Sequence, residues 1–449
     1  MFILILARIR MWSYPTADGG TVTYYFNEMT ALIGLLLLAW LVWLGWLLIS
    51  RYLRHRTVRR PPRRRDYRPL RRVVKMKNEL SARYLRPGFS GKIHAVGIGL
   101  LGVAEELCIQ VFVNDTPGEI WTGAGAATLP NSYRGVPVIV IGMPVAGFLS
   151  ESTASGVKEP GASNGATVVN LDKGFPASTF PNGIREYQDV IVGGISGANT
   201  NLAGQSGTIG YFCTRKSKLP RRKEIHLLSN SHVFVDLRKA SVDDGDLITQ
   251  PSPGEPASNR PIGVLVDFAP LKFDGDIKDP NHVDAAIARL WGPQRHNPTI
   301  PMIGGIQGYV RKKEIELGEI VRKFGRTTGY TEGRVCSIYL DIWIRYDRTG
   351  QSAFFKNQVL IEPTGAHVKF VSKGDSGSLV VDAEKNALGL IFGGTSEIPV
   401  SDATPAPVSP VRAHPAEPKR IEGYGIANPI TDVMDKLKIE LLITPNGKL

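Results

Sequence analysis

The chain has 449 residues, a formal net charge of +13 and three cysteines, and 43% of its residues are hydrophobic. This length allows two or three domains with a sizeable core, and three widely spaced cysteines exclude the disulfide framework of a small secreted domain. No cluster has metal-ligand spacing and no glycine-rich loop suits a phosphate, so we expect no metal and no cofactor. The 48 glycines, 31 prolines and many short β-branched runs indicate a mainly β architecture.

Residues 29–50 form an uncharged, strongly apolar run that is long enough to cross a bilayer as a helix. A signal peptide is the main alternative, but this run is too long for one and lacks a small-residue cleavage site. We therefore predict a single transmembrane helix over 29–50, which leaves residues 1–28 as a short segment outside the cytoplasm. Translation that begins at Met11 or Met29 would shorten or remove that segment.

Eleven arginines and a single acid, Asp66, lie between residues 51 and 72. A basic run of this kind can bind nucleic acid. Beside an apolar span, however, it is typical of the cytoplasmic side of a membrane helix and of contact with anionic lipid. We favour the second interpretation, which predicts a single-pass protein of the inner or plasma membrane whose residues 51–449 face the cytoplasm.

The rest of the chain divides by composition. A stretch rich in serine, glycine and alanine at 150–166 predicts a linker, and six prolines within 397–422 predict an irregular loop that could gate a cleft or be cleaved. The predicted segments after the apolar run are a juxtamembrane linker at 51–78, a small α/β domain at 79–149, a linker at 150–190, a main domain at 191–442 and a tail at 443–449.

Residues 373–381 (KGDSGSLVV) place a serine between glycines, in a turn before an apolar strand. A serine nucleophile needs such a sharp bend to reach a carbonyl carbon. The glycines permit the bend and leave backbone N–H groups exposed. We predict that Ser376 is a nucleophile and that the N–H groups of Gly374 and Ser376 form an oxyanion hole.

A histidine and an aspartate precede this serine in a fitting order. His232 follows an apolar strand, Asp284 lies in an apolar segment 52 residues later, and Ser376 follows after a further 92 residues. The order His, Asp, Ser is that of chymotrypsin-type hydrolases. In this interpretation His232 is the general base and Asp284 orients its imidazole. Weaker candidates are His226, His282, His367, Asp267, Asp274, Asp276 and Asp279.

Several motifs together resemble the trypsin/chymotrypsin-fold serine peptidases, and more narrowly the bacterial relatives of the plant Narrow Leaf 1 peptidases. They are LLSNSHVF, DLITQPSP, PIGVLVDFAPL, VDAAIARL, VRKFGRTTGYTEGRV, KGDSGSLVVD, ALGLIFGG and GYGIANPITDVMDKLKIEL, which span about 193–442, and a shorter match at about 93–145. The resemblance implies two antiparallel β-barrels of chymotrypsin type behind a small α/β domain. The first barrel would supply His232 and Asp284, and the second Ser376.

Two motifs within this match have structural interpretations. Residues 325–329 (GRTTG) suit the tight opening of a second barrel rather than chemistry. Residues 191–194 (IVGG) resemble the new N-terminus of an activated trypsin-type zymogen, whose amine pairs with the acid beside the nucleophile, here Asp375. No basic residue precedes Ile191, so we do not expect cleavage there.

In trypsin-like enzymes the residue six positions before the nucleophile sets the floor of the specificity pocket, and here it is Phe370. The opposite wall would come from Phe392, Gly393 and Gly394. An apolar pocket would leave a cationic side chain unpaired, which predicts an apolar or small residue before the scissile bond. The nearby bases Lys369 and Lys373 support an acid-preferring pocket as the second choice.

The sequence therefore predicts a membrane-anchored bacterial serine endopeptidase that cleaves a protein or peptide substrate through a His-Asp-Ser triad. One alternative is a non-catalytic interaction module on the same fold. Another is a membrane-tethered nucleic-acid binder that uses the arginine-rich run. The substrate and the oligomeric state are not predicted.

Overall fold

We describe the protein from a computed structural model. The residues described are 8–27, 37–45, 68–85, 93–102, 105–113, 129–148, 151–152, 184–202, 204–216, 224–237, 246–255, 258–273, 277–292, 294–346, 351–364, 367, 369–395 and 423–444. The chain separates into two compact units, Met1–Arg59 and Arg60–Leu449.

The first unit contains an antiparallel hairpin of Arg8–Pro15 and Thr21–Asn27. Its turn closes with a bond from the Thr16 N–H to the Gly20 carbonyl at 2.8 Å. Residues 37–45 are helical. Among the described residues no helix has the length and apolarity needed to span a membrane. The remainder of the predicted span, 29–36 and 46–50, lies outside the described residues, so the transmembrane helix stays a prediction.

One sheet of the second unit has seven antiparallel strands and holds the histidine and aspartate segments at neighbouring strand ends. In spatial order its strands are Ala198–Asn199, Leu247–Gln250, Arg260–Phe268, Ala286–Leu290, His226–Ser229, Tyr211–Arg215 and Ile439–Leu441. Apolar side chains of these strands, among them Phe212, Leu228 and Ile287, form a fully buried core.

The other large sheet has twelve strands and holds the serine turn. In spatial order the strands of its main path are Ile320–Gly325, Leu379–Val381, Asn386–Gly394, Gly425–Pro429, Ser352–Pro363, Gly329–Arg345, Ile93–Leu101, Glu106–Val113, Val136–Gly142 and Ser132–Tyr133. Two further strands, Gly308–Tyr309 and Gly147–Phe148, pair off this path. The mainly β prediction is confirmed, whereas closure of the sheets into two barrels stays a prediction.

The described part of the second unit also contains four short two-stranded pairings. They are Ile195–Ser196 with Thr208–Ile209, Gln205–Ser206 with Glu151–Ser152, Arg295–His296 with Val190–Ile191, and Thr299–Ile300 with Gly304–Gly305. In the described part of this unit the α-helices are Arg68–Tyr84, Ser231–Phe234 and Ile430–Leu437, and Lys312–Glu314 forms a 3₁₀ turn.

The helix Arg68–Tyr84 buries Val73, Met76 and Leu80, whose spacing places them on one face. On the same face Lys77 forms an ion pair with Asp341 at 2.8 Å, and both side chains are fully buried. The strand Ile93–Leu101 pairs with the strand Gly329–Arg345 of the twelve-stranded sheet, with Ile98 opposite Ile338. The sheet is therefore continuous across the predicted boundary at 149, and the domain boundaries themselves stay a prediction.

Candidate active site

His232 lies on a single helical turn that directly follows the strand His226–Ser229. Its side chain is 3% exposed. The turn is held to the neighbouring segment because Asn230 donates from Nδ2 to the Asp284 carbonyl at 2.7 Å. Ser231 Oγ lies 2.9 Å from both the Ala269 and Ala285 carbonyls, so its hydroxyl anchors the same end of the sheet.

Asp284 reaches His232 because their strands are neighbours, with Ser229 opposite Ala286. Asp284 Oδ2 lies 2.5 Å from His232 Nδ1, and Oδ1 accepts the His232 backbone N–H at 3.3 Å. The Asp284 N–H donates to Asn428 Oδ1 at 2.9 Å. A fully buried carboxylate bonded in this way favours a proton on Nδ1 and leaves Nε2 as the basic nitrogen.

Tyr346 is a further neighbour of this carboxylate that the sequence interpretation missed. Burial raises the pKa of Tyr346 well above its ordinary value, and the nearby Asp284 carboxylate adds to the shift. The phenol therefore stays protonated and can donate to the aspartate. Tyr346 directly follows the strand Gly329–Arg345 of the twelve-stranded sheet. It is distant from Asp284 in the sequence, so no local sequence pattern connects the two residues.

The turn that carries Ser376 requires its two glycines. Gly374 and Gly377 have backbone φ values of +96° and +95°, a conformation that residues with a side chain rarely adopt. A Cβ atom on Gly374 would lie 2.4 Å from Thr327 Oγ1, and one on Gly377 would lie 2.2 Å from the Thr208 carbonyl oxygen. Ser376 is buried, and its Oγ lies 3.5 Å from the Phe392 carbonyl oxygen.

The backbone N–H groups of this turn fall into two sets. Those of Asp375, Gly377 and Ser378 donate to carbonyl oxygens at 2.8–3.1 Å. Those of Gly374 and Ser376 have no acceptor within the described ranges of the chain, although both residues are buried. Buried N–H groups without a partner are rare in proteins, so this pair is available to an incoming oxygen atom.

Asp375, next to the serine, points away from it into a set of donors. Its carboxylate is fully buried and accepts the N–H groups of Thr327, Thr328 and Ser372 at 2.9–3.1 Å. The Thr328 hydroxyl donates to Oδ2 at 2.7 Å, and Lys323 Nζ lies 3.3 Å from the same oxygen. Burial lowers the pKa of Lys323, and the Asp375 carboxylate opposes that shift.

The GRTTG segment therefore does more than open a hairpin. It connects Ile320–Gly325 to Gly329–Arg345, as its glycines indicated, and its two threonines also hold the turn that carries Ser376. Thr327 Oγ1 donates to the Lys373 carbonyl at 2.6 Å. The sequence interpretation of this motif as structural did not include these bonds, because the strand pairing that brings it to Asp375 cannot be seen in the motif itself.

Arg326, in the same segment, connects the twelve-stranded sheet to the short pairing of Ile195–Ser196 with Thr208–Ile209. Its Nε lies 2.5 Å from Glu255 Oε1, and Glu255 also accepts the Ser196 hydroxyl at 2.8 Å. The Arg326 N–H donates to Thr208 Oγ1, whose hydroxyl donates to the Gly374 carbonyl at 2.8 Å. These bonds fix the serine turn against the segment that precedes the histidine strand.

The IVGG segment is part of the folded interior. Ile191 is fully buried and pairs with His296 in a short parallel ladder. The Gly194 N–H donates to the Ile209 carbonyl at 2.7 Å. The amine beside Asp375 in this fold is that of Lys323, and the absence of cleavage before Ile191 stays a prediction.

The four predicted pocket residues fall in different surroundings. Phe370 belongs to the core of the twelve-stranded sheet, and its ring centroid lies 5.9 Å from Lys323 Nζ. Phe392 belongs to another cluster and packs on Phe355 at 4.7 Å. Gly393 and Gly394 form a strand edge that pairs with Gly147–Phe148. Their role as one pocket stays a prediction.

The weaker candidates identified from the sequence lie in other settings. His226 Nδ1 bonds to the Glu224 carbonyl at 3.0 Å, and Asp267 pairs with Arg215 at 2.6 Å. Asp279 pairs with Lys272 at the surface. Asp274 and Asp276 lie outside the described residues. Within the described parts of the chain no group of three or more His, Cys, Asp or Glu side chains could hold a metal ion.

No protein-family model and no curated protein sequence matches the chain. Its structural neighbours are trypsin/chymotrypsin-fold serine proteases of low sequence identity. Protease A of Thermobifida fusca is 15% identical with a TM-score of 0.35 and covers 57% of this chain and all of its own. The chymotrypsin of Cellulomonas bogoriensis is 14% identical with a TM-score of 0.33, and the match covers 57% of this chain and 99% of that one. The Nocardiopsis protease is 16% identical with a TM-score of 0.34, and the match covers 56% of this chain and 98% of that one. The relationship to Narrow Leaf 1 peptidases stays a prediction.

Proposed function

We propose that the protein is a serine endopeptidase in which Ser376, His232 and Asp284 act as a catalytic triad on a protein or peptide substrate. The observation that carries the proposal is the buried Ser376 turn, where two neighbouring N–H groups lack an acceptor among the described residues while the others are bonded. An oxyanion that forms beside Ser376 would satisfy both donors.

The segment at Gly207 and Thr208 supports the proximity of the serine and the histidine. The Thr208 N–H donates to the Ser376 carbonyl at 2.8 Å. A Cβ atom on Gly207 would lie 2.4 Å from Val233 Cγ1, and Val233 is the residue after His232. Ser376 and the residue that follows His232 therefore contact adjacent positions of the chain, Thr208 and Gly207.

In the proposed reaction the Ser376 hydroxyl attacks the scissile carbonyl and His232 Nε2 takes its proton. Asp284 keeps the other ring nitrogen protonated and stabilises the imidazolium. His232 then protonates the leaving amine. Water, activated by the same imidazole, hydrolyses the acyl-enzyme. The Gly374 and Ser376 N–H groups bind the oxyanion in both steps.

The experiment that tests this proposal is incubation of the detergent-solubilised full chain with a denatured protein. New substrate termini should form with the wild type and be absent with Ser376→Ala. The alternative of a non-catalytic interaction module on this fold predicts no new termini with either protein.

A peptide library tests the proposed pocket. If Phe370 and Phe392 contribute an apolar pocket, cleavage should follow apolar or small residues, because a buried cation would lack a partner. Dominant cleavage after Arg or Lys would contradict the assignment. Dominant cleavage after Asp or Glu would favour the alternative in which Lys369 or Lys373 contacts the substrate.

We further propose that the peptidase is anchored in the membrane through residues 29–50 and faces the cytoplasm. The support is the uncharged apolar run followed by eleven arginines. Protease added outside intact cells should leave residues 51–449 undigested. Digestion of that part, or recovery of the full chain in the soluble fraction, would contradict this topology. Salt-dependent retention of residues 51–449 on DNA would instead support the nucleic-acid alternative.

A further inference from the structure

The two N–H groups of the Ser376 turn that lack an acceptor among the described residues belong to two separate peptide groups. The Gly374 N–H shares a peptide plane with the Lys373 carbonyl. The Ser376 N–H shares another with the Asp375 carbonyl. In a trans peptide the N–H and the C=O point in opposite directions. A donor that holds one of these carbonyls therefore also sets the direction of the N–H across the plane.

The plane that carries the Ser376 N–H is held within the turn itself. The N–H and the hydroxyl of Ser378 both donate to the Asp375 carbonyl, at 3.0 Å and 2.6 Å. The carboxylate of Asp375 is fixed in turn by its own set of buried donors. This plane is therefore restrained by two bonds to one neighbouring residue and by the fixed side chain of Asp375.

The plane that carries the Gly374 N–H depends on a distant part of the chain. In the part of the chain that the structure describes, the Thr327 hydroxyl is the one donor to the Lys373 carbonyl, at 2.6 Å. Gly374 itself resists rotation of this plane only weakly. A half-turn would move its φ from +96° into the negative region, which glycine adopts about as readily. The Gly374 N–H would then point away from Ser376, and the predicted oxyanion hole would lose one donor.

The peptide plane that follows Gly374 is fixed at both ends. The Gly374 carbonyl accepts the Thr208 hydroxyl at 2.8 Å. The Asp375 N–H at the other end donates to the Ser372 carbonyl at 3.1 Å. Rotation within this part of the turn is therefore confined to the plane before Gly374, which the Thr327 hydroxyl holds.

Arg326 sets the direction in which the Thr327 hydroxyl donates. Its Nη1 donates to Thr327 Oγ1 at 3.0 Å, and its side chain is 3% exposed. A guanidinium can only donate, so the hydroxyl hydrogen is left for the Lys373 carbonyl. A series of hydrogen bonds thus runs from a cation to the Gly374 N–H. Bonds in such a series polarise one another, which makes this N–H a stronger donor as well as an oriented one.

We propose that Thr327 is a positioning residue of the oxyanion hole, whose hydroxyl holds the peptide group between Lys373 and Gly374 with its N–H directed at the reacting carbonyl. This inference rests on the proposed peptidase function. Thr327 does not touch the substrate in this role. Loss of its hydroxyl should leave substrate binding intact and slow both chemical steps, because acylation and deacylation each pass through an oxyanion.

The test measures hydrolysis of p-nitrophenyl acetate by full chains in detergent, because this small ester needs no specificity pocket. Thr327→Val removes the hydroxyl but keeps the backbone bond from residue 327 to Asp375 Oδ1. We expect kcat per folded molecule to fall about tenfold, the size of one lost hydrogen bond. KM should change by less than about twofold, because both steps slow alike. Thr327→Ser keeps the hydroxyl and should retain the wild-type kcat.

Phenylboronic acid gives a second readout that a purely structural role would not change. It forms a tetrahedral adduct with a serine nucleophile, in which a boron-bound oxygen takes the place of the oxyanion. Transition-state analogues report the interactions that form only during the reaction. Thr327→Val should therefore weaken the inhibition constant by about the same tenfold factor as kcat, and Thr327→Ser should leave it unchanged.

Thr200→Val is the matched control. The Thr200 hydroxyl also donates to a backbone carbonyl, that of Leu247 at 3.1 Å, but this bond lies beside the edge strand Ala198–Asn199 of the seven-stranded sheet. The variant should keep the wild-type kcat and the wild-type inhibition constant. Thermal unfolding of each protein gives the folded fraction by which kcat is corrected.

Four results would overturn this inference alone: an unchanged kcat in folded Thr327→Val, a loss carried by KM, an unchanged inhibition constant, or an equal loss in Thr327→Ser. A loss of kcat in Thr200→Val equal to that in Thr327→Val would do the same. Ester hydrolysis by the wild type that is no faster than by Ser376→Ala would overturn the peptidase proposal, and this inference with it.

Discussion

Replacement of Ser376 by alanine is expected to lower kcat for peptide hydrolysis by about four to six orders of magnitude, the size seen when a triad nucleophile is removed. His232→Ala should have an effect of similar size, because the hydroxyl is a poor nucleophile without its base. The double variant should be hardly slower than either single variant, since the groups act as a unit.

The control for these variants is His226→Ala. His226 lies at the start of the strand that precedes His232, and its ring bonds to a backbone carbonyl. Its loss should therefore affect stability more than kcat. Thermal unfolding of all four proteins checks that the triad variants stay folded. Comparable kcat values in the wild type and in folded Ser376→Ala would contradict the catalytic assignment.

Lys323→Met is expected to be the second most damaging single change. It removes the cation from the fully buried Asp375 carboxylate, and breaking a buried pair typically costs about 3–5 kcal/mol of folding free energy. The Asp375 carboxylate would then draw on the remaining donors or move, and the Gly374 and Ser376 N–H groups would move with it. Loss of one oxyanion donor alone lowers kcat by about 100- to 1000-fold, so we expect at least that loss per folded molecule.

The chain offers a matched control in a second buried lysine. Lys77 pairs with Asp341 at 2.8 Å, and both side chains are fully buried, as are Lys323 and Asp375. Lys77→Met should lower the free energy of unfolding by a similar amount but leave kcat per folded molecule unchanged. Equal loss of kcat in both variants would show that Lys323 matters only for stability.

The candidate triad could be predicted because each member carries a local signal. Gly374 and Gly377 mark the turn around Ser376, and both have the positive φ that only glycine adopts readily. His232 and Asp284 each adjoin an apolar strand. The two strands are neighbours in the sheet, and this brings the imidazole and the carboxylate together. That pairing was expected from the order of the residues, not from either motif alone.

The supporting residues could not be predicted, because their partners are distant in the sequence and come from strand pairing. Lys323 lies 52 positions before Asp375, and nothing beside it signals a buried cation. Tyr346 reaches Asp284 from the end of a long strand. Likewise, the sequence places residues 147–148 at the end of a small domain, and only their pairing with Gly393 and Gly394 shows that they join the twelve-stranded sheet.

The predicted small domain and the predicted main domain share one sheet in the structure. A small α/β domain was expected before the predicted peptidase domain, yet its strand Ile93–Leu101 is hydrogen-bonded to Gly329–Arg345 in the twelve-stranded sheet. Composition indicates linkers and turns, but it does not reveal whether two neighbouring segments complete one sheet. The ion pair of Lys77 with Asp341 adds a second, buried connection between these parts of the chain.

The central claim, that Ser376 is an activated nucleophile, is tested most directly by the site at which a fluorophosphonate attaches to the full chain. Tryptic peptide mapping should find one phosphonylated residue, Ser376, with no adduct in Ser376→Ala and much slower labelling in His232→Ala. A wild-type chain that takes up no label, or that carries the label on another serine while Ser376 stays unmodified, would contradict the account.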